Sequence, residues 1–406
     1  MDISRYSSAA LEQLHHSGAH LNVSFRGGPS LTPIASNGTA KLDFEYAEHG
    51  FLGDAITLTL GPGQTALAGK TPFTLPNGLS LTYGQINGVS GLCCLKQNLV
   101  ATDDHSSDGI NPTEQSARFL ESWGTLATDK IRQPTEAKKL LGVLEGEVAA
   151  VNKAVGEGRD PANAYANLAD PTARFEAITA DRPHGQPSYL KLAEMNFDHF
   201  GYDARTAYNA GHMTALQQAV MRSNDYGNLI LAYTLNAFAD HFLEDSFSAG
   251  HVRTPRRYLH SNFGDADLCA KAMHDEDNSI GLSVNNSMGQ VWTMYGDKRL
   301  LDKANQVNRQ MALQAVQVSA NEIYQAWLTR TIPNPADFGA WKIAPTLASC
   351  EDENQALAPL FTPSKHPKRR KNIEDRHRWR YTSDYWFWTT LLSINLSGLW
   401  KYPIHM

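Results

Sequence analysis

Apolar residues recur along this chain at intervals of three and four, the spacing of one face of an α-helix. The clearest run is Leu231, Leu235, Phe238, Phe242 and Leu243, with Gly250 expected to close the segment. A second stripe, Leu140, Leu144, Val148, Val151 and Val155, is opened by Pro134-Thr135 and followed by Gly156 and Gly158. A third, Val307, Met311, Ala315 and Val318, lies within 301–330 and stops before Pro333 and Pro335. Shorter helices are expected over 44–60, ahead of the Gly-Pro-Gly turn at 61–63, over 79–95, after Pro161 with Asp160 as N-cap, and once or twice within 189–224. No convincing alternating strand interrupts this pattern before residue 335. The expected fold class is all-α, a helical bundle.

Texture divides the chain into three. Residues 1–40 are rich in Ser, Gly and Asn and read as an irregular lead-in; 41–335 form the helical body; 336–406 form an irregular C-terminal extension. Within the extension, 364–380 is strongly basic and 385–400 aromatic and apolar. Two readings follow: peripheral membrane contact through 364–400, or a solvated basic loop followed by an element that closes on the body. The second is preferred, because Trp and Phe are ordinary core residues.

With 406 residues the chain can bury a large core. A net charge of −6 gives no reason to expect a nucleic-acid partner. The four cysteines, Cys93, Cys94, Cys269 and Cys350, match neither a zinc ribbon nor a disulfide framework. The first twenty residues have no basic n-region and no apolar h-region, so no classical signal peptide is expected. A cytoplasmic home and a signal-independent export route both remain open.

The chemistry concentrates in LNAFADHFLEDSFSAGHVRTP, 235–255, where His241, Asp245 and His251 form an H-x3-D-x5-H spacing. His241 and Asp245 lie four apart on a helix and project from one face. His251 follows the closing glycine, where a returning chain can aim it at the same point. One His and one Asp at this spacing are commonly a solvated pair. Here other histidine-bearing segments flank them: His49 in the first body helix, His199 before a later helix, and His274 with Asp277 or Asn278 in HDEDN. Imidazoles and carboxylates converging inside a bundle form a set of donors suited to zinc.

These stretches resemble the zinc-dependent phospholipase C family, and in particular the phosphatidylcholine-hydrolysing bacterial branch found in Pseudomonas and Legionella. The resemblance rests on EHGFLGDAIT, LTYGQINGVSG, YLKLAEMNFDHFGYDA, NAFADHFLEDSFSAGHVRTPR, MHDEDNSIGLSV and VWTMYGDKRL, over about residues 44–330. It implies a helical bundle holding two or three Zn2+ ions on His49, His199, His241, Asp245, His251, His274 and Asp277. It also implies a phospholipid substrate and hydrolysis of its glycerol-side phosphodiester. The likeness departs at two places. Asn278 stands where the family's H-x3-E pattern has a carboxylate, so Asp277 or Asp275 would replace it. Leu92, in Gly91-Leu92-Cys93-Cys94, stands where the family has an Asp that bridges zinc and helps activate water. Asp103, or Asp104 as a substitute base, or a thiolate from Cys93 or Cys94, are the expected replacements. The alternatives to a phospholipase C are a catalytically impaired lipid- or metal-binding relative and a phosphodiesterase or nuclease on the same scaffold.

Overall fold

The computed structural model describes residues 46–93 and 111–397, apart from 170, 181, 183–185, 222–224, 261–265, 353–354 and 383–384. These residues are mostly helical, as the periodicity predicts. The lead-in at 1–40 and the loop carrying Asp103, Asp104 and His105 lie outside them, as do Cys94 and the side chain of Cys93.

The central helix, Tyr226–Asp245, is enclosed rather than amphipathic: from Ala232 to Asp245 every residue is buried. Asp225 caps it, its side chain accepting the Gly227 N–H at 2.9 Å. Helices Tyr46–Asp54, Tyr83–Cys93, Gly201–Val220 and Gln306–Thr329 surround it. Such a core position explains why its sequence, LILAYTLNAFADHFLED, has few charges until its last turns. There the charged groups serve the site.

Helices Tyr46–Asp54 and Tyr83–Cys93 cross in near backbone contact. A Cβ on Gly84 would lie 2.1 Å from the Gly50 carbonyl oxygen, and one on Gly53 2.7 Å from the Gly84 Cα. Only glycine permits this approach. The second of these helices opens with a capping box: Thr82 Oγ1 accepts the Gln85 N–H at 3.1 Å, and Gln85 Oε1 accepts the Thr82 N–H at 2.9 Å.

Two sequence expectations change. Three short antiparallel hairpins occur: Thr57–Gly61 with Gln64–Leu67, Phe73–Thr74 with Ser80–Leu81, and Leu282–Asn285 with Val291–Met294. The first helix therefore ends at Asp54, and the Gly-Pro-Gly turn closes a hairpin. Thr57-Leu58-Thr59-Leu60 alternates, and its β-branched threonines favour extended backbone. The stripes are also shifted. Leu140, Leu144 and Val151 are buried in helix Gln133–Gly156, but Val148 is 44% exposed and Val307 47%. The pattern identifies the helix; neighbouring elements decide which edge of its apolar arc is covered.

The main core includes Phe338, Ile343, Cys350 and Leu357, so the first part of the C-terminal extension packs into the body. A second, smaller core joins helix Asp267–Ile280 to Phe361, Ile373 and the C-terminal helix Phe387–Leu396. Arg370 and Arg376 of the basic segment both bond Glu276 there, at 2.9 and 2.7 Å. No helix among the described residues is long and apolar enough to cross a membrane.

Candidate metal centre

Six donors fall into two groups. His49, His241 and Asp245 form one; His251, His274 and Asp297 form the other, with the ligand atoms of each group within 4.8 Å of one another and all six residues buried. Donors held about 2.0–2.2 Å from one tetrahedral zinc ion stand roughly 3.3–3.6 Å apart, so either group would draw together around an ion. His199 stands between them, its Nδ1 2.9 Å from Asp245 Oδ2 and 3.2 Å from His241 Nε2.

The central helix supplies His241 and Asp245 one turn apart. His49 comes from the first helix, its ring centroid 4.0 Å from that of His241. His199 closes a short 3-10 turn ahead of helix Gly201–Val220. His251 lies in the short helix Ala249–Arg253, its ring stacked on Phe200 at 4.7 Å between centroids and 3° between planes. Helix Asp267–Ile280 contributes His274.

Each ring is turned by what its other nitrogen touches. His241 Nδ1 lies 3.1 Å from the Asn87 carbonyl, His251 Nδ1 3.0 Å from the His199 carbonyl, and His49 Nδ1 2.7 Å from Glu244 Oε2. This leaves the three Nε2 atoms facing the centre. Metal-binding imidazoles are usually fixed in this manner, with the outer N–H on a carboxylate or backbone carbonyl. Glu244 is held in turn by Asn87 Nδ2 at 2.7 Å.

The carboxylates fit the same reading. Both Asp245 oxygens and Asp297 Oδ2 are buried and make no hydrogen bond. Yet imidazole nitrogens stand 2.9 and 3.0 Å from Asp245 and 3.0 Å from Asp297 Oδ2. These imidazoles are the nearest polar groups that these carboxylate oxygens meet. Buried carboxylates gathered among imidazoles in this way have the chemistry of shared ligands.

Charge balance reinforces this arrangement. Burial would raise the Asp245 pKa, but His251 and then His199 outweigh it and hold the carboxyl well below its usual range. Burial would lower His251, but Asp245 and then Asp297 lift it to about 10. His241 is driven down to about 3, chiefly by burial. Burial also pushes His49 down, aided by His241. The cluster thus contains neutral donors and ionised carboxylates, with a proton on His251 for a metal to displace.

Asp277 is not part of it. Its carboxylate makes a fully buried bidentate pair with Arg253, one contact being Nε at 2.9 Å. Asp275 turns to Lys271 and to His274 Nδ1, the latter at 3.1 Å. Asn278 spends its Oδ1 on the Gly250 N–H and Ser248 Oγ, at 2.5 and 3.1 Å. Asp297 provides the missing carboxylate. It follows Gly296, where a Cβ would lie 1.6 Å from Asn278 Oδ1, and precedes Lys298, which has φ +63°. Glu48 anchors this turn by accepting the Lys298 and Leu300 N–H groups at 3.2 and 2.9 Å, and Ser248 Oγ donates to Asp297 Oδ1 at 2.8 Å. The motif YGDKRL holds the residue, but only tertiary contact reveals its role.

Leu92 is fully buried in the main apolar core and brings no ligand. Its neighbour Gly91 touches the site: a Cβ there would lie 2.8 Å from His241 Nε2 and 3.2 Å from His199 Cε1. Asp104 lies outside the described residues. His212 is a core histidine, held by Asn236 Oδ1 at 2.5 Å and near Glu322 at 3.1 Å. No family model, curated protein or solved structure matches this chain.

Proposed function

We propose that this chain is a zinc-dependent phosphoric diester hydrolase of the phospholipase C type. Its substrate would be a phospholipid, phosphatidylcholine first, cleaved on the glycerol side to diacylglycerol and a phosphorylated head group. The observation that carries this reading is the pair of buried His/Asp groups facing each other across Asp245. Two adjacent cation positions suit a phosphodiester, which must be held by its oxygens while one P–O bond breaks. Zinc bound there would lower the pKa of a coordinated water and neutralise charge on the phosphoryl oxygens.

The protein's own groups have distinct tasks. Asp245 and Asp297 are held low by the imidazoles around them, Asp245 by His251 and His199 against burial, Asp297 by His274 and His251 against burial. Groups that stay ionised at neutral pH act as ligands and do not store a proton. Glu244, Asn87 and the His199 carbonyl orient the rings.

A second reading is favoured by one observation. Leu92 points into the apolar core at the position where the resembled family has a bridging Asp. A leucine can neither share a metal nor move a proton. A metal-binding relative without turnover is therefore the alternative.

The deciding assay is release of phosphocholine from soluble short-chain phosphatidylcholine by the zinc-loaded chain. Turnover that is lost in His241→Ala supports the phospholipase. Intact zinc content without turnover supports the impaired relative. Release of nucleotides from single-stranded DNA, with no lipid cleavage, would replace the lipid substrate with a nucleic acid.

A further inference from the structure

The C-terminal helix Phe387–Leu396 has two dissimilar faces. Phe387, Thr390, Leu391 and Ile394 are buried, the apolar ones in the small core on helix Asp267–Ile280. On the other side Trp388, Leu392 and Leu396 follow at intervals of four, 45%, 60% and 81% exposed, and Trp386 just before them is 60% exposed. Three large apolar side chains in one row, with Trp386 exposed just before them, differ from the scattered apolar residues of an ordinary surface. Ten residues make a helix of about 15 Å. That is half of a hydrocarbon layer of roughly 30 Å, so this helix can lie on a bilayer but not cross it.

The segment leading into the helix has the complementary charge. Residues 364–380 hold eight Lys and Arg against two acids, in a chain whose net charge is −6. Arg370 and Arg376 are committed to Glu276. Lys365, Lys368, Lys371 and Arg380 are exposed. The segment is part of the same lobe: Lys371 N–H donates to the Arg380 carbonyl at 2.7 Å, Ile373 shares the helix's small core, and the Phe361 ring lies 5.2 Å from that of Tyr385.

We propose that this lobe docks on an anionic lipid bilayer. Trp386, Trp388, Leu392 and Leu396 enter the boundary between head groups and acyl chains. Lys365, Lys368, Lys371 and Arg380 face the anionic head groups. Indole rings favour that depth, and each nearby cation adds to the attraction. A second copy is a poorer occupant, because a two-fold contact would bring two basic segments together. This inference deepens the phospholipase reading by supplying its access to lipid, but the binding itself requires no turnover.

The test is co-sedimentation of the full chain, in chelator, with vesicles of phosphatidylcholine containing phosphatidylglycerol and with vesicles of phosphatidylcholine alone. Wild type should bind the anionic vesicles, and more weakly in high salt. Leu392→Ser combined with Leu396→Ser should reduce binding on the order of tenfold or more, since two exposed leucines lose their apolar burial. Lys365→Glu with Lys368→Glu should remove the preference for anionic vesicles. Absence of wild-type binding, unchanged binding by the serine variant, or conversion of a dimer to a monomer by that variant would each overturn the proposal. Hydrolysis of soluble short-chain substrate separates the two readings. Turnover without vesicle binding refutes only the docking surface, and vesicle binding without turnover refutes only the phospholipase.

Discussion

Gly91→Ala places one methyl group against the centre and tests whether His241 and His199 must hold their positions. The new Cβ would lie 2.8 Å from His241 Nε2, 3.1 Å from its Cε1 and 3.2 Å from His199 Cε1. Ordinary contact begins at about 3.5 Å, so His241 must yield by more than half an ångström. Zinc–nitrogen bonds of about 2.0–2.1 Å leave room for only about 0.2 Å of error. Displacement of this size should weaken zinc by about 10–100-fold, the range seen when the partners orienting metal-bound histidines are lost. Two stability effects oppose each other. Alanine in a helix interior gains about 1 kcal/mol over glycine, and overpacking costs about 1–3 kcal/mol. The apo fold should therefore change by no more than about 2 kcal/mol. Competition with a fluorescent chelator gives the affinity, and urea denaturation of chelator-treated protein gives the stability. Zinc affinity equal to wild type in a folded Gly91→Ala protein would refute the placement of these two rings.

Three further outcomes follow from the same contacts. Asp297→Asn should lower the zinc content by one ion per chain, whereas Asp277→Asn should leave it unchanged and cost about 3–5 kcal/mol by stranding the buried Arg253 charge; elemental analysis and urea melts of both variants check this. Glu244→Met removes the partner of His49 Nδ1 and Asn87 Nδ2; zinc affinity should fall about 10–100-fold, with Glu244→Gln closer to wild type, as chelator competition would show. In the chelator-treated protein His241 and His251 should contribute to stability with opposite pH slopes on the two sides of about 6.5, each contribution read as wild type minus the His241→Phe or His251→Phe variant. Below it, unfolded His241 takes a proton that the folded ring, at about 3, refuses, so stability rises with pH. Above it, folded His251 keeps its proton up to about 10 while the unfolded ring has lost its own, so stability falls. Urea midpoints of wild type and the two variants across the pH range test both slopes, and flat difference profiles would remove the assigned charge states.

The sequence carried more of the helices than of the site. His241 and Asp245 were legible because one helical turn fixes their relation whatever surrounds them. His49, His199, His251 and His274 were legible as types in suggestive neighbourhoods; the fold divides His49 from His251 and His274 between two adjacent groups and sets His199 beside Asp245 and His241. Asp297 was not, because its place depends on a glycine turn, on Glu48 from the first helix and on Ser248 after the central one. Asp277 satisfied the helical spacing from His274, but spacing cannot show that Arg253 claims that carboxylate first. The Thr57–Gly61 hairpin was missed for a related reason. Four alternating residues are too short a signal beside a helix, and the pairing strand settles the matter. The enclosure of the central helix likewise depends on neighbours distant in sequence.

The most direct test of the account is the zinc content of the purified wild-type chain, measured beside His241→Ala by elemental analysis with a fold check by circular dichroism. Two buried donor groups predict two zinc ions per wild-type chain and a loss of metal in the folded variant. A folded wild-type protein that takes up no zinc when it is supplied would contradict the central claim, and the cluster would then be a network of buried imidazoles and carboxylates with no ion to hold.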